Sequence, residues 1–253
     1  MSEQITRLLR IMALLRDPER GCEWDRAQRL ETIVPHTIEE AYEVADAVAR
    51  GDIGDIRDEL GDLLFQVVFQ ARIAEEARQF DFGDVARSIA DKLEARHPHI
   101  FAGEPMAPGT RDAVWEELKA AERDAKGSSS ALDGVAIALP ALMRADKLQK
   151  RAARVGFDWP DSDGPAAKLA EEMEELAEAP QSGQLEEAGD LLFAAVNLVR
   201  AYGIAPEDAL RAANAKFERR FRAMEDLADG NFGSLPLDQQ EALWQTVKAC
   251  EAS

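Results

Sequence analysis

Apolar residues recur at helical spacing along most of the chain, and no stretch alternates apolar and polar residues convincingly as a strand. The pattern predicts helices over roughly 3–16, 36–50, 55–78, 83–96, 111–125, 140–154, 165–179, 185–202, 206–228 and 236–250. Pro206 suits the first turn of its helix, and Asp81 and Asp84 offer N-terminal caps near 83. Gly127-Ser128-Ser129-Ser130 reads as part of a linker. The expected division is an N-terminal module over 1–126, a linker over 127–139 and a C-terminal module over 140–253, all of it α-helical.

Two consecutive helices in the second half depart from a simple amphipathic pattern. The first carries Leu169, Met173, Leu176 and Ala177 on one face and Glu171, Glu174 and Glu178 on the opposite one. Glu172 and Glu175 lie between these sets, bordering the apolar stripe. The second is apolar around most of its circumference, through Leu185, Leu191, Leu192, Phe193, Val196 and Val199. Glu187, Asp190 and Asn197 occupy its narrow polar strip. So apolar a helix is expected to be buried, and its acids then face a partner helix or a cleft.

Antiparallel pairing of the two helices brings Glu172, Glu175, Glu187 and Asp190 together. Four carboxylates in one cleft repel unless they are protonated or bridged by a cation. Oxygen donors without histidine or cysteine suit a hard cation, Mg²⁺, with Mn²⁺ as a substitute. Either acidic motif alone reads most simply as a solvated face. The two together, on a helix otherwise so apolar, favour the metal.

The same landmarks occur earlier in the same order, roughly 130 residues upstream. Glu39-Glu40-Ala41-Tyr42-Glu43 matches Glu171 to Glu175, and Glu59-Leu60-Gly61-Asp62-Leu63-Leu64-Phe65 matches Glu187 to Phe193. Lys92 and Arg96 match Lys216 and Arg220, and Trp115 and Lys119 match Trp244 and Lys248. Glu40, Glu43, Glu59 and Asp62 are therefore a second candidate metal set. The copies differ at two positions. Phe69 stands in the place of Asn197, and Ala90 or Asp91 in that of Asn214. The C-terminal copy is thus expected to be the main site, with the N-terminal copy weaker, different in preference or a dimerisation module.

Composition narrows the ligand. The 253 residues carry 49 acidic and 30 basic side chains, a net charge of −19. That argues against nucleic-acid polymers and anionic membranes as partners. A small polyphosphate stays open, because a bound metal reverses the local sign. Cys22 and Cys250 cannot form a dense disulfide framework, which points to the cytoplasm. No signal peptide is apparent at the start, and no apolar run approaches the ~20 residues needed to span a bilayer.

On these motifs the chain resembles the MazG nucleoside triphosphate pyrophosphohydrolases in their two-module bacterial form, over nearly its whole length. Asp17-Pro18, Gly21-Cys22, Trp24-Asp25, His97-Pro98-His99, the run from Ala141 to Trp159 and Lys216 to Phe221 add to the likeness. The resemblance implies an all-α homodimer, a tandem repeat of two MazG-like helical bundles. It implies Mg²⁺-dependent hydrolysis of nucleoside triphosphates to the monophosphate and pyrophosphate, clearing unwanted nucleotides or controlling nucleotide pools. The implied metal set is Glu172, Glu175, Glu187 and Asp190, with Lys216 and Arg220 as a basic pair and Trp244 as an aromatic contact. Where similar two-module chains tend to carry a lysine before the second acidic motif, this one reads Gly183-Gln184-Leu185.

In that chemistry a metal-bound water of lowered pKa attacks the α-phosphorus. Glu171 is the spare acid nearest the set and a candidate base. Lys216 and Arg220, four apart on one face, can hold the β- and γ-phosphates, or simply form surface salt bridges. Trp244 can stack on a base or serve as core, and Asn197 and Asn214 can read base or sugar edges. Two rivals are weaker. A di-iron bundle needs two Glu-x-x-His motifs, and the chain has only Glu94 to His97. A non-enzymatic acidic scaffold or dimerisation protein would place Leu or Ala in the polar strip.

Overall fold

The computed structural model describes residues 2–103, 114, 115, 118, 127 and 129–251. Among these the structure is helical and has no strand, as the periodicity predicts. It divides into two compact units, Met1–Leu118 and Lys119–Ser253.

The first unit contains α1 (Glu3–Leu15), α2 (Glu23–Ala27), α3 (Leu30–Arg50), α4 (Ile53–Glu76), α5 (Phe82–Arg96) and the short α6 (Pro98–Phe101). The α3–α4 hairpin is its centre. Gly51 closes α3 at φ +75°, and Asp52 caps α4 by accepting from the amides of Gly54 and Asp55. Met12, Ile33, Val68 and Phe69 form the buried core, with Leu8, Phe65 and Phe82 against it. Asp81 and Asp84 cap α5 reciprocally, each side chain accepting from the other's amide at 2.9 and 3.1 Å.

One helix starts earlier than the periodicity predicts. Pro35 is a reason to begin α3 at 36, yet α3 runs through it from Leu30. Ile33 explains the difference, because its burial at 1% exposure anchors that turn in the core. The short α2, which carries Trp24 and the buried Asp25, was not foreseen. The helix expected over 111–125 lies almost wholly outside the described residues.

The second unit contains α7 (Ala141–Arg154), α8 (Asp163–Glu178), α9 (Gln184–Ala201), α10 (Pro206–Leu227), a 3₁₀ turn (Phe232–Ser234) and α11 (Leu237–Glu251). Again a hairpin, α8–α9, is the centre. Helix α7 packs on α9, where Gln149 donates to the Phe193 carbonyl at 2.8 Å. Helices α10 and α11 pair through Phe217 and Trp244, 5.8 Å between ring centres. Part of the expected linker is docked on this unit: Asp133 accepts from the amides of Ser129 and Ser130, and Arg151 donates to the carbonyls of Ala131 and Asp133. The repeat extends to small detail. Arg96 lies over the Trp115 ring at 5.1 Å and Arg220 over Trp244 at 5.5 Å, matching the aligned pairs. No single helix among the described residues is long and apolar enough to cross a membrane.

Candidate active site

The α8–α9 hairpin gathers acids because of where each helix is amphipathic. The apolar stripe of α8 is only partly covered, with Leu169 and Leu176 half-buried and Met173 59% exposed, while Glu172 at its edge is carried inward to 5% exposure. Glu187 and Asp190 lie at the start of α9, on the side facing α8. One carboxylate oxygen each from Glu172, Glu187 and Asp190 lie within 4.8 Å of one another. Oε2 of Glu172 is buried and has no hydrogen-bond partner among the described residues. A buried carboxylate oxygen left unmatched is costly unless a cation meets it. The oxygen-only donor set and this orphaned atom fit a hard divalent cation.

Lys168 is the group that sequence reasoning missed. Its Nζ stands 2.7 Å from Glu171, 2.8 Å from Glu172 and 3.9 Å from Glu175. The hydrogen bond to Glu171, then that to Glu172, raises its pKa. Its place four residues before Glu172 on one helical face was the available signal. Glu175 is the outlying member of the acidic set, bound to it through Lys168. Desolvation raises its pKa, Lys168 opposes that rise, and a hydrogen bond with Glu172 adds to it. Glu171, the candidate base, is tied to Lys168.

A cavity of about 800 Å³ opens beside the cluster, large enough for a small organic ligand. Lys168, Glu172 and Asp190 line one part of it. Phe157, Trp159, Phe193 and Ala194 give the rest an apolar and aromatic wall. Trp159 is set there by Gly164, where a Cβ would come 2.0 Å from the indole ring, so only glycine admits this approach. Asn197 lines the cavity too, at 8% exposure. The other candidates are elsewhere in the unit. Lys216, Arg220, Trp244 and Asn214 are not among the lining residues. Arg220 pairs with Glu251 at 2.6 Å, and Lys216 and Asn214 are exposed on α10.

The first unit repeats the cluster with a different setting. Oxygens of Glu40, Glu43 and Glu59 lie within 4.8 Å of one another, without Asp62 in the group. Burial raises the pKa of Glu40, and a hydrogen bond with Glu43 adds to it; burial also raises Glu59, with Glu43 and Asp62 adding repulsion. Gln66 donates to Glu40 at 3.2 Å. Phe69, at the position of Asn197, is fully buried and packs edge-on against Phe65 and Trp24.

Paired acidic helices repeated in tandem, one pair beside a ligand-sized cavity, define an all-α class of carboxylate-centred enzyme. Comparison with known proteins identifies which. Residues 28–101 and 164–224 match the model of the MazG nucleotide pyrophosphohydrolase domain. A nucleoside triphosphate pyrophosphohydrolase of Escherichia coli K12 is 50% identical over 98% of this chain and 98% of its own. The nucleoside triphosphate pyrophosphohydrolase/pyrophosphatase MazG of Thermotoga maritima is 43% identical over 95% of this chain and 94% of its own. A solved MazG-related protein from Thermotoga maritima aligns at 27% identity with a TM-score of 0.38, covering 46% of this chain and 98% of that one. The chain belongs to the MazG nucleotide pyrophosphohydrolase family and is an enzyme of that family.

Proposed function

We propose that the chain hydrolyses nucleoside triphosphates to the monophosphate and pyrophosphate, with Mg²⁺ (or Mn²⁺) as cofactor, in the C-terminal module. The observation that carries this is the carboxylate cluster of Glu172, Glu187 and Asp190 on the wall of a cavity of about 800 Å³. Glu172, Glu187 and Asp190, with Glu175 beside them, would hold the metal, which when bound neutralises phosphate charge and supplies an acidified water for attack on the α-phosphorus. The chain's own part is to bind and orient. Glu172 is buried at the reacting end, whereas the aromatic side chains of the wall stay open to solvent. Lys168 lines the same wall and offers positive charge in an otherwise acidic cleft. Glu171, the spare acid nearest the set and the candidate to take a proton from water, is held by Lys168 through a hydrogen bond.

A homodimer fits the exposed apolar positions Leu185 and Leu192 on α9, which are 87% and 59% exposed and which a second copy can cover. Exposed free Cys22 and Cys250 suit a reducing cytoplasm, where clearing or adjusting nucleoside triphosphates is the expected role.

The test is pyrophosphate release from the eight common ribo- and deoxyribonucleoside triphosphates, with Mg²⁺ and with a chelator. Metal-dependent release of pyrophosphate together with the monophosphate supports the proposal. Release of single phosphates, or release that survives chelation, overturns it.

A further inference from the structure

Asn197, Arg200 and Asp158 line the cavity together, and the phosphate chemistry employs none of them. Asn197 Oδ1 accepts from Arg200, at 2.6 Å from Nη2 and 3.2 Å from Nε. Arg200 is itself gripped by Asp158 through two parallel bonds, Nη1 to Oδ2 at 2.9 Å and Nη2 to Oδ1 at 2.5 Å. That hydrogen bonding is the main cause holding the Asp158 carboxyl below its ordinary range.

The chemistry settles which way the amide points. A guanidinium only donates, so the Asn197 atom facing it has to be the carbonyl oxygen, and the NH₂ turns away. Nδ2 makes no hydrogen bond among the described residues and is not one of their buried unmatched atoms, so it opens onto the cavity from a residue only 8% exposed. A donor held in one orientation at the cavity surface is ready for an acceptor that enters there. The first unit lacks this arrangement. Phe69 replaces Asn197, and Arg72, the counterpart of Arg200, turns to Glu75 and Glu76.

We propose that Asp158, Arg200 and Asn197 form a relay that reads the nucleobase. Asn197 contacts the base, donating from Nδ2 to a ring nitrogen or an exocyclic carbonyl oxygen. Arg200 and Asp158 are positioning residues that lock the amide in its donor orientation. The inference rests on the nucleotide reading above. A base is favoured over a sugar for two reasons. The wall around Asn197 is aromatic and apolar, through Phe157, Trp159 and Phe193. A hydroxyl, moreover, both donates and accepts, so it would need no fixed polarity.

Asn197→Asp separates contact from structure. Its carboxylate still takes both Arg200 bonds, but offers an acceptor where the base presents one. The experiment measures calorimetric binding, with Mg²⁺, of α,β-methylene forms of nucleoside triphosphates and of ribose 5′-triphosphate, which has no base. Asn197→Asp is expected to weaken base-bearing ligands at least about 30-fold and to leave the abasic one within about threefold. Arg200→Lys cannot span both partners, frees the amide to flip, and is expected to weaken base-bearing ligands alone by about three- to tenfold. Equal losses for both ligand types, or none, overturn the relay while leaving the nucleotide reading standing. Wild-type protein that binds neither ligand overturns both. Should Asn197→Asp fail to fold, Arg200→Lys carries the test.

Discussion

Lys168 Nζ stands 2.8 Å from the Glu172 carboxylate, so the most buried acid of the cluster already has a cationic partner on its own helix. The same ammonium reaches Glu171 and Glu175. It screens carboxylates that otherwise repel, and it opposes a second cation arriving at the same oxygens. Lys168→Met should therefore lower the melting temperature of metal-free protein and enlarge the rise that Mg²⁺ produces. Thermal melts with and without Mg²⁺ read both effects. Equal metal-induced rises in the variant and the wild type would count against the competition.

The two acidic clusters predict opposite consequences for turnover. Glu187 belongs to the cluster beside the cavity, whereas Glu59 belongs to one whose hairpin is packed with Phe69. Glu187→Gln should cost about 100-fold or more in pyrophosphate release, as the loss of several kcal/mol of charge stabilisation would. Glu59→Gln should leave release within about threefold. The reverse pattern would move the reaction to the N-terminal module.

Much of this was legible in the chain. Helical period and caps located most elements, since long amphipathic helices carry a strong signal. The tandem motif located both acidic hairpins, because glutamates bordering an apolar stripe must meet whatever packs on that stripe. Asn197 was singled out by its place in the strip with Asp190, and it lines the cavity. Other features depend on tertiary context. The early start of α3 comes from burial of Ile33, which outweighs the local cost of Pro35. The approach of Trp159 to Gly164 and the reach of Arg200 to Asp158 join segments whose proximity no periodicity encodes. The basic pair was equally ambiguous in sequence. Arg220 is engaged by Glu251 and Trp244, a contact that four-residue spacing alone does not distinguish from a phosphate grip.

Gly164 should be sensitive to the smallest substitution. An added Cβ would stand 2.0 Å from Trp159 Cδ1 and 2.5 Å from Cγ, so the indole has to move. Gly164 is the second residue of α8, where Gly164→Ala favours the helix by less than the ~1 kcal/mol of an interior position. Even so, it should raise KM for base-bearing substrates several-fold, because the displaced ring is part of the cavity wall. Steady-state kinetics with tryptophan fluorescence checks this, the expected pair of changes being a higher KM and an altered emission spectrum. An unchanged KM would mean that Trp159 takes no part in holding substrate.

Asp158 ties stability to pH. Arg200 holds its folded-state pKa below the ordinary value of 3.8, so the folded protein binds fewer protons there than the unfolded chain. Stability from this pair is fully present above 3.8 and is lost as pH falls through the lower folded-state value. Asp158→Asn keeps a hydrogen-bond acceptor for Arg200 but removes the titrating charge. The variant should be less stable than wild type at pH 7 and should lose less of its remaining stability on acidification to about pH 3. Urea unfolding midpoints followed by circular dichroism across that interval measure the difference. Since Arg200 also fixes Asn197, the variant should show weaker base discrimination at neutral pH as well. Parallel acid limbs for variant and wild type would place the acid sensitivity in other carboxylates, with Glu76 the first to examine, because Arg16 and Arg72 together outweigh its burial and lower its pKa.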